Sequence, residues 1–143
     1  EWGKVLHFGT HNAGRLALHI CKTMLTTMLA DNQAGFVKIK DLGQKLTKEI
    51  QQIAMKNNKH KVICQGVNSM FQIFFTDQDK ISNYRDFCRS VDRIKFRDFS
   101  LKLFDKGVYM NPSATLHSLS AIVHTEDDIE STARAISDAL NEL

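Results

Sequence analysis

The sequence predicts an α+β domain, a small and mainly antiparallel sheet with helices packed on one face. Three observations carry this. The chain has 143 residues, 43% hydrophobic and 24% charged, which suits a single globular domain with its own core. Apolar residues recur at helical spacing in four separate segments. Between the second and third of these lies an uncharged, β-rich run.

Residues 5–10 are short, apolar and β-prone, and end at Gly9-Thr10. From Arg15 a long amphipathic helix follows. Leu16, Ala17, Ile20, Cys21, Met24, Leu25, Met28 and Leu29 make one wide stripe, which reads as core. Asp31-Asn32 and Gly35 break it. A second helix is expected over 41–57, with Asp41 as N-cap and Asn57-Asn58 ending it. The run 61–76 is interrupted at Gly66. In its second part Val67, Phe71, Ile73 and Phe75 share a face and Met70 and Phe74 take the other, as in a mostly covered strand. Residues 77–82 are a polar loop. A third helix is expected over 84–106. It repeats Phe96, Phe99 and Leu103 on one side and Phe87, Val91 and Ile94 on a neighbouring stripe, and Gly107 closes it. Residues 108–110 read as a short strand stopping before Pro112, and 119–124 as another. Thr125 to Asp128 has the pattern of a capping box. The helix behind it buries Ile129, Ala133, Ile136, Leu140 and Leu143. No repeat and no linker is visible.

The charge balance excludes some functions. The net charge of +3 is too weak for a nucleic-acid binder without a concentrated patch. Residues 1–63 carry 10 basic and 4 acidic side chains, and residues 64–143 carry 9 and 12. The lysines of the basic half have no aromatic residues between them to stack bases, so they read as a solvated helix face. The longest uncharged stretch, 107–125, contains Pro112, two histidines and several hydroxyls, which is unsuited to hydrocarbon. No nucleic-acid or membrane partner is expected. The chain opens on Glu1-Trp2-Gly3-Lys4 with neither Met nor signal peptide, which suggests a piece of something longer. Cys21, Cys64 and Cys88 are odd in number and form no CxxC pair. That pattern fits a reducing cytoplasm and three small buried side chains; Cys64 in the β-rich run and Cys88 in a stripe of the third helix read as core thiols with raised pKa. His7 and His11 stand four apart, but Gly9 and Gly14 argue against a helix there, and no further ligand completes a metal site. No GxSxG, GxGxxG or phosphate-binding lysine loop is present. Composition and spacing alone give a domain without a self-contained catalytic residue set.

Four stretches nevertheless carry a family signature. Gly9-Thr10 ahead of a long helix resembles a "GT…NPLA" segment, with Leu16-Ala17 matching its end. Val67 to Thr76 resembles "VGSMFxxFFT". Gly107-Val108-Tyr109-Met110-Asn111-Pro112-Ser113 is similar to "GVYLPPS", and His124 to Ile129 is similar to "HTEEDI". Together, in order and over nearly the whole chain, they resemble the C-terminal part of class-III, pyridoxal-phosphate-dependent aminotransferases, with the second stretch especially close to an aminomutase branch. The resemblance implies that residues 1–14 are the tail end of the large cofactor domain and 15–143 the small C-terminal α+β domain. It implies pyridoxal 5'-phosphate as cofactor, a cytoplasmic homodimer, and a small substrate derived from an amino acid. It also implies that Gly9 and Thr10 reach the cofactor phosphate of the neighbouring subunit. The lysine that anchors the cofactor lies upstream of the "GT" motif in such enzymes, so the chain alone is expected to be inactive, with no catalytic residue of its own. Two readings compete: an aminotransferase of another amino acid or amine, and a non-catalytic α+β ligand-binding module. The chain departs from the pattern at Ala13-Gly14-Arg15, at Gly66, at Asn68 and at Leu116. Leu116 stands where the aminomutase pattern has a glutamate facing the substrate entrance.

Overall fold

The structure is a computed structural model and describes residues 9–143. The elements among them are α1 (Arg15–Lys56), β1 (Val62–Val67), β2 (Met70–Phe75), α2 (Tyr84–Ser90), α3 (Arg93–Asp105), β3 (Ser118–Leu119) and α4 (Glu126–Asn141). The strands form one antiparallel sheet in the order β1-β2-β3. The strand expected over 5–10 lies almost wholly outside the described residues. The chain divides into two compact units, Glu1–Phe36 and Val37–Leu143.

Helix α1 is broken where Asp31-Asn32 predicts a break. Ala30 is extended, with ψ 158°, and Asp31, Asn32 and Gln33 are left-handed, with φ of 48°, 58° and 67°. Asp and Asn enter that region more readily than most residues. The helix resumes at once, so Gly35 is helical and Asp41 stands in mid-helix rather than at an N-cap. The left-handed residues already make the turn that the next helix needs. The expected core stripe of the first half is exposed. Leu16 is 76% and Met24 56% accessible, Ile20, Leu25, Leu29 and Cys21 are also exposed, and of the large side chains only Met28 is buried. Helical spacing settles which side chains share a face and leaves open what covers it.

The run 61–76 is a hairpin, and its break is at Asn68-Ser69 rather than at Gly66. Val67 pairs with Met70 across a two-residue turn, and Asn68 has φ 54°, a conformation that favours Asn in such turns. Gly66 stays in register opposite Phe71. A Cβ there would lie 2.2 Å from the Met70 carbonyl oxygen. The pairs Val62/Phe75 and Cys64/Ile73, with Phe71 beside them, form the buried face. Val67 belongs with Met70 on the other face and is exposed, because the turn, not sequence parity across it, sets its side.

The core lies between the buried face and three helices. α3 supplies Phe96, Phe99 and Leu103, α4 supplies Ile129, Ile136 and Leu140, and the second half of α1 supplies Leu42, Leu46 and Ile50. Phe75 meets Phe99 edge-on, with ring centroids 5.5 Å apart. The single helix expected over 84–106 is two. Asp92 caps α3 by accepting from the Lys95 N–H at 2.9 Å, and its own N–H donates to the Phe75 carbonyl at 2.9 Å. This link to the end of β2 fixes the break. Beyond it Ile94 turns outward, 69% exposed, while α2 sets Phe87 against Phe74 of the outer sheet face. Gly107, with φ 81°, closes α3 as expected; its N–H donates to Phe104 and that of Val108 to Leu103. Residues 108–110 form no strand, and the strand expected over 119–124 shrinks to β3. The chain there is held by local turns, such as that from the His124 N–H to the Ala121 carbonyl. The capping box of α4 is complete. Leu143 lies past the helix end and is half-buried.

The lysines of the basic half do more than solvate a helix face. Lys45 pairs with Glu126 and Glu130 at the start of α4. Lys38 donates to the Ile122 carbonyl, and Lys59 to that of Asn141. The basic segment is thus tied to the acidic half of the same chain.

Candidate functional site

The residues singled out by sequence fall in the two units. In the first, Gly9 and Thr10 begin an exposed turn ahead of α1. The Gly9 carbonyl accepts from the Asn12 N–H at 3.0 Å. A Cβ on Gly9 would stand 2.6 Å from the end of the Asn12 side chain, which could swing aside. Ala13 has φ 59° and completes the reversal into Arg15. The first turn of α1 carries no acidic side chain, leaving its positive end unneutralised. An exposed hydroxyl, free backbone N–H groups at a helix start and a neighbouring arginine suit a phosphate. His11 is exposed on the same turn, and His7 lies outside the described residues. No cluster of metal-ligating side chains is found among the described residues.

In the second unit the other three stretches form one connected region. The "VNSMF" segment is the β1–β2 turn with the start of β2, and β3 pairs beside it through Met70↔Leu119. Helix α1 presses on that turn at Gly43, where a Cβ would come within 2.4 Å of the Asn68 carbonyl oxygen. The "GVYMNPS" segment leaves the α3 cap and buries Met110. It then folds on itself: Asn111 Oδ1 accepts from the Ser113 N–H at 3.0 Å, and the Ser113 and Thr115 hydroxyls are 2.7 Å apart. Leu116 follows, 48% exposed, with its N–H on the Ser113 carbonyl. His124 Nδ1 accepts from the Ala121 N–H at 3.1 Å just before the capping box.

Two hollows flank this region. One, of about 350 Å³, runs between Phe71, Tyr109, Ser120, His124 and Ser131. The other, of about 550 Å³, lies along the outer sheet face between Gln72, Phe74, Tyr84 and Thr115. Sequence reasoning missed Gln72. Its alternation with Phe71 and Ile73 was a signal that it faces the opposite side, but its burial depends on the 113–117 loop folding over it.

The thiols differ in burial. Burial pushes Cys64 up to about 12, as expected of a core thiol. Cys88 is exposed, against expectation, because α2 is too short to carry the stripe assigned to one long helix. Asp128 is held below the usual carboxylate range by the Thr125 backbone N–H and hydroxyl.

No family model matches the chain. In sequence and fold the chain is nevertheless similar to part of the pyridoxal-phosphate-dependent aminomutases and transaminases. Two of its curated relatives are glutamate-1-semialdehyde 2,1-aminomutases. That of Clostridium kluyveri is 34% identical over 108 residues, covering 76% of this chain and 25% of the relative. That of Thermus thermophilus is 31% identical over 140 residues, covering 96% and 31%. Among solved structures, a β-phenylalanine aminotransferase from Variovorax paradoxus superposes with TM-score 0.79 at 18% identity, covering 98% of this chain and 31% of that one. A glutamate-1-semialdehyde aminomutase from Pseudomonas aeruginosa in complex with PMP superposes with TM-score 0.72 at 15% identity, covering 100% and 32%. The chain therefore spans between a quarter and a third of the length of these proteins. No helix among the described residues is long and apolar enough to cross a membrane.

Proposed function

We propose that the chain supplies the C-terminal part of a pyridoxal-phosphate-dependent glutamate-1-semialdehyde 2,1-aminomutase, which converts glutamate-1-semialdehyde to 5-aminolevulinate for tetrapyrrole synthesis. The observation that carries the reading is the match to aminomutases at 31% identity over 96% of the chain. In this reading residues 1–14 end the large cofactor domain and 15–143 form the small one. The enzyme is a cytoplasmic homodimer, and Gly9 and Thr10 hold the cofactor phosphate of the neighbouring subunit. The geometry at Gly9 fits this role: an exposed turn leads into a helix start with no acidic side chain. When bound, pyridoxal phosphate supplies the electron sink for amino-group transfer. This chain's own part is to bind the phosphate and, through the 113–117 loop, to border the substrate entrance.

A second reading, an aminotransferase of another amino acid or amine, is favoured by Leu116. It is exposed where the resemblance places a carboxylate, and it cannot hold a cationic amine. One assay separates the two. The longer enzyme is given glutamate-1-semialdehyde and no keto acid. Formation of 5-aminolevulinate supports the aminomutase, and turnover only with an external keto acid rejects it.

A further inference from the structure

The first half of α1, taken within its own unit, is left unused by the reading above. An α-helix turns by about 100° per residue. On that spacing Leu16 and Leu29 bound an apolar arc of about 220° around the helix. Ile20, Met24, Cys21 and Leu25 lie inside it, and all six side chains are exposed. Thr27 falls near the Leu16 edge of the arc, where its hydroxyl donates to the Thr23 carbonyl at 3.0 Å. Arg15, His19, Lys22, Thr23 and Thr26 share the narrow strip that remains.

The width of the arc says what kind of body covers it. A helix laid on the surface of a globular core needs an apolar stripe of about 100°, whereas one apolar over most of its circumference belongs inside a core. A second copy packed helix against helix would meet one side of the arc and leave the other in water. A membrane surface is recognised by a strongly basic polar face, and this strip has Arg15 and Lys22 as its only permanent cations. No helix among the described residues can cross a membrane. The remaining candidate is protein that closes on both flanks. The chain covers 25% and 31% of its two aminomutase relatives, so more than two thirds of each lies outside it.

We propose that the apolar arc of α1 is an interface with the preceding part of the same longer polypeptide, which packs against both flanks of the helix and leaves only the polar strip at the surface. This rests on the reading of the chain as the C-terminal part of a longer enzyme, and not on which reaction that enzyme performs.

The longer enzyme tests it in two ways. Cys21, inside the arc, is expected to react with a thiol reagent at least about tenfold more slowly in the native enzyme than after denaturation, while a cysteine placed on the strip by Thr26→Cys is not slowed. Benzophenone photo-cross-linking then identifies the cover. With p-benzoylphenylalanine in place of Ile20 or Leu29, on opposite flanks of the arc, irradiation is expected to give a product of one chain's mass, joined to a peptide from outside these 143 residues. Should either replacement disturb folding, the Cys21 rate is read in the unaltered enzyme. The proposal is overturned by a Cys21 as reactive in the native enzyme as after denaturation, by a cross-linked product of two chains' mass, or by a cross-link confined to these 143 residues. It is also overturned by a Cys21 that closes only when phosphatidylglycerol vesicles are added. An enzyme that makes no 5-aminolevulinate but keeps Cys21 closed and cross-links to the preceding part rejects the aminomutase reading alone.

Discussion

Replacing Gly43 with alanine tests how α1 and the β1–β2 turn are fitted together. At an unobstructed helix position the change would stabilise by up to about 1 kcal/mol, because alanine loses less backbone entropy and is the better helix former. Here the new Cβ would stand 2.4 Å from the Asn68 carbonyl oxygen and 2.5 Å from the Ser69 Cα, against an ordinary contact of at least 3.4 Å. The missing clearance, about 1 Å, must come from backbone on both sides. The helix is held by Leu42 and Leu46, each 4% exposed, and the turn by its register and by the left-handed Asn68. Overpacking of this kind costs about 1–3 kcal/mol. Set against the full propensity gain, the net is a loss of up to about 2 kcal/mol. Urea unfolding followed by far-UV circular dichroism reads it as a lower midpoint at unchanged slope. A midpoint that rises, as at an open helix position, would refute the close approach of α1 to the turn.

Further predictions concern single side chains. Thr125→Ala removes the acceptor that caps the Asp128 N–H and is expected to cost about 1 kcal/mol in the same unfolding assay. Asp128 has a folded pKa below its ordinary value, so its stabilisation is full above the usual carboxylate range and is lost as pH falls through the folded value. The stability gap between the protein and Asp128→Asn should therefore close on acidification from pH ~7 to ~3, and a constant gap would show that the Thr125 contacts do not favour the charged form. With the Cys64 thiol pushed up to about 12 and buried, a thiol reagent at neutral pH should label Cys21 and Cys88 in the native protein and Cys64 only after denaturation. In the longer enzyme, Thr10→Ala should weaken cofactor retention by about 1.5–3 kcal/mol, read as a higher dissociation constant, without unfolding the protein. Leu116→Glu should raise 5-aminolevulinate formation relative to keto-acid-dependent turnover, and an unchanged ratio would remove Leu116 from the entrance argument.

Local signals were the legible ones. The break at Asp31-Asn32, the closure at Gly107 and the capping box at Thr125 each rest on backbone chemistry confined to a few residues, and each appears where the sequence puts it. What the sequence could not show depends on distant partners. The split between α2 and α3 is fixed by the Asp92 N–H reaching Phe75, and the side taken by Val67 by a turn whose register only pairing sets. Asp41 looked like an N-cap because its local pattern permits it, but the chain had already turned at Gln33. The motif stretches were legible through resemblance. Gln72 was not, since its burial comes from Ala114, 42 residues away.

The first half of α1 has a consequence for how the molecule behaves in bulk. Leu16, Leu18, Ile20, Met24, Leu25 and Leu29 are between 49% and 76% exposed. On the same segment Thr23, Thr26 and Thr27 turn their hydroxyls back onto the carbonyls of His19, Lys22 and Thr23. Those hydroxyls use their donors internally, while the apolar side chains of the segment face solvent. A net charge of +3 gives little electrostatic repulsion to keep such surfaces apart. Colloidally, the chain should show attractive pair interactions: a negative second virial coefficient, light scattering that rises with concentration, and early salting-out by sulfate.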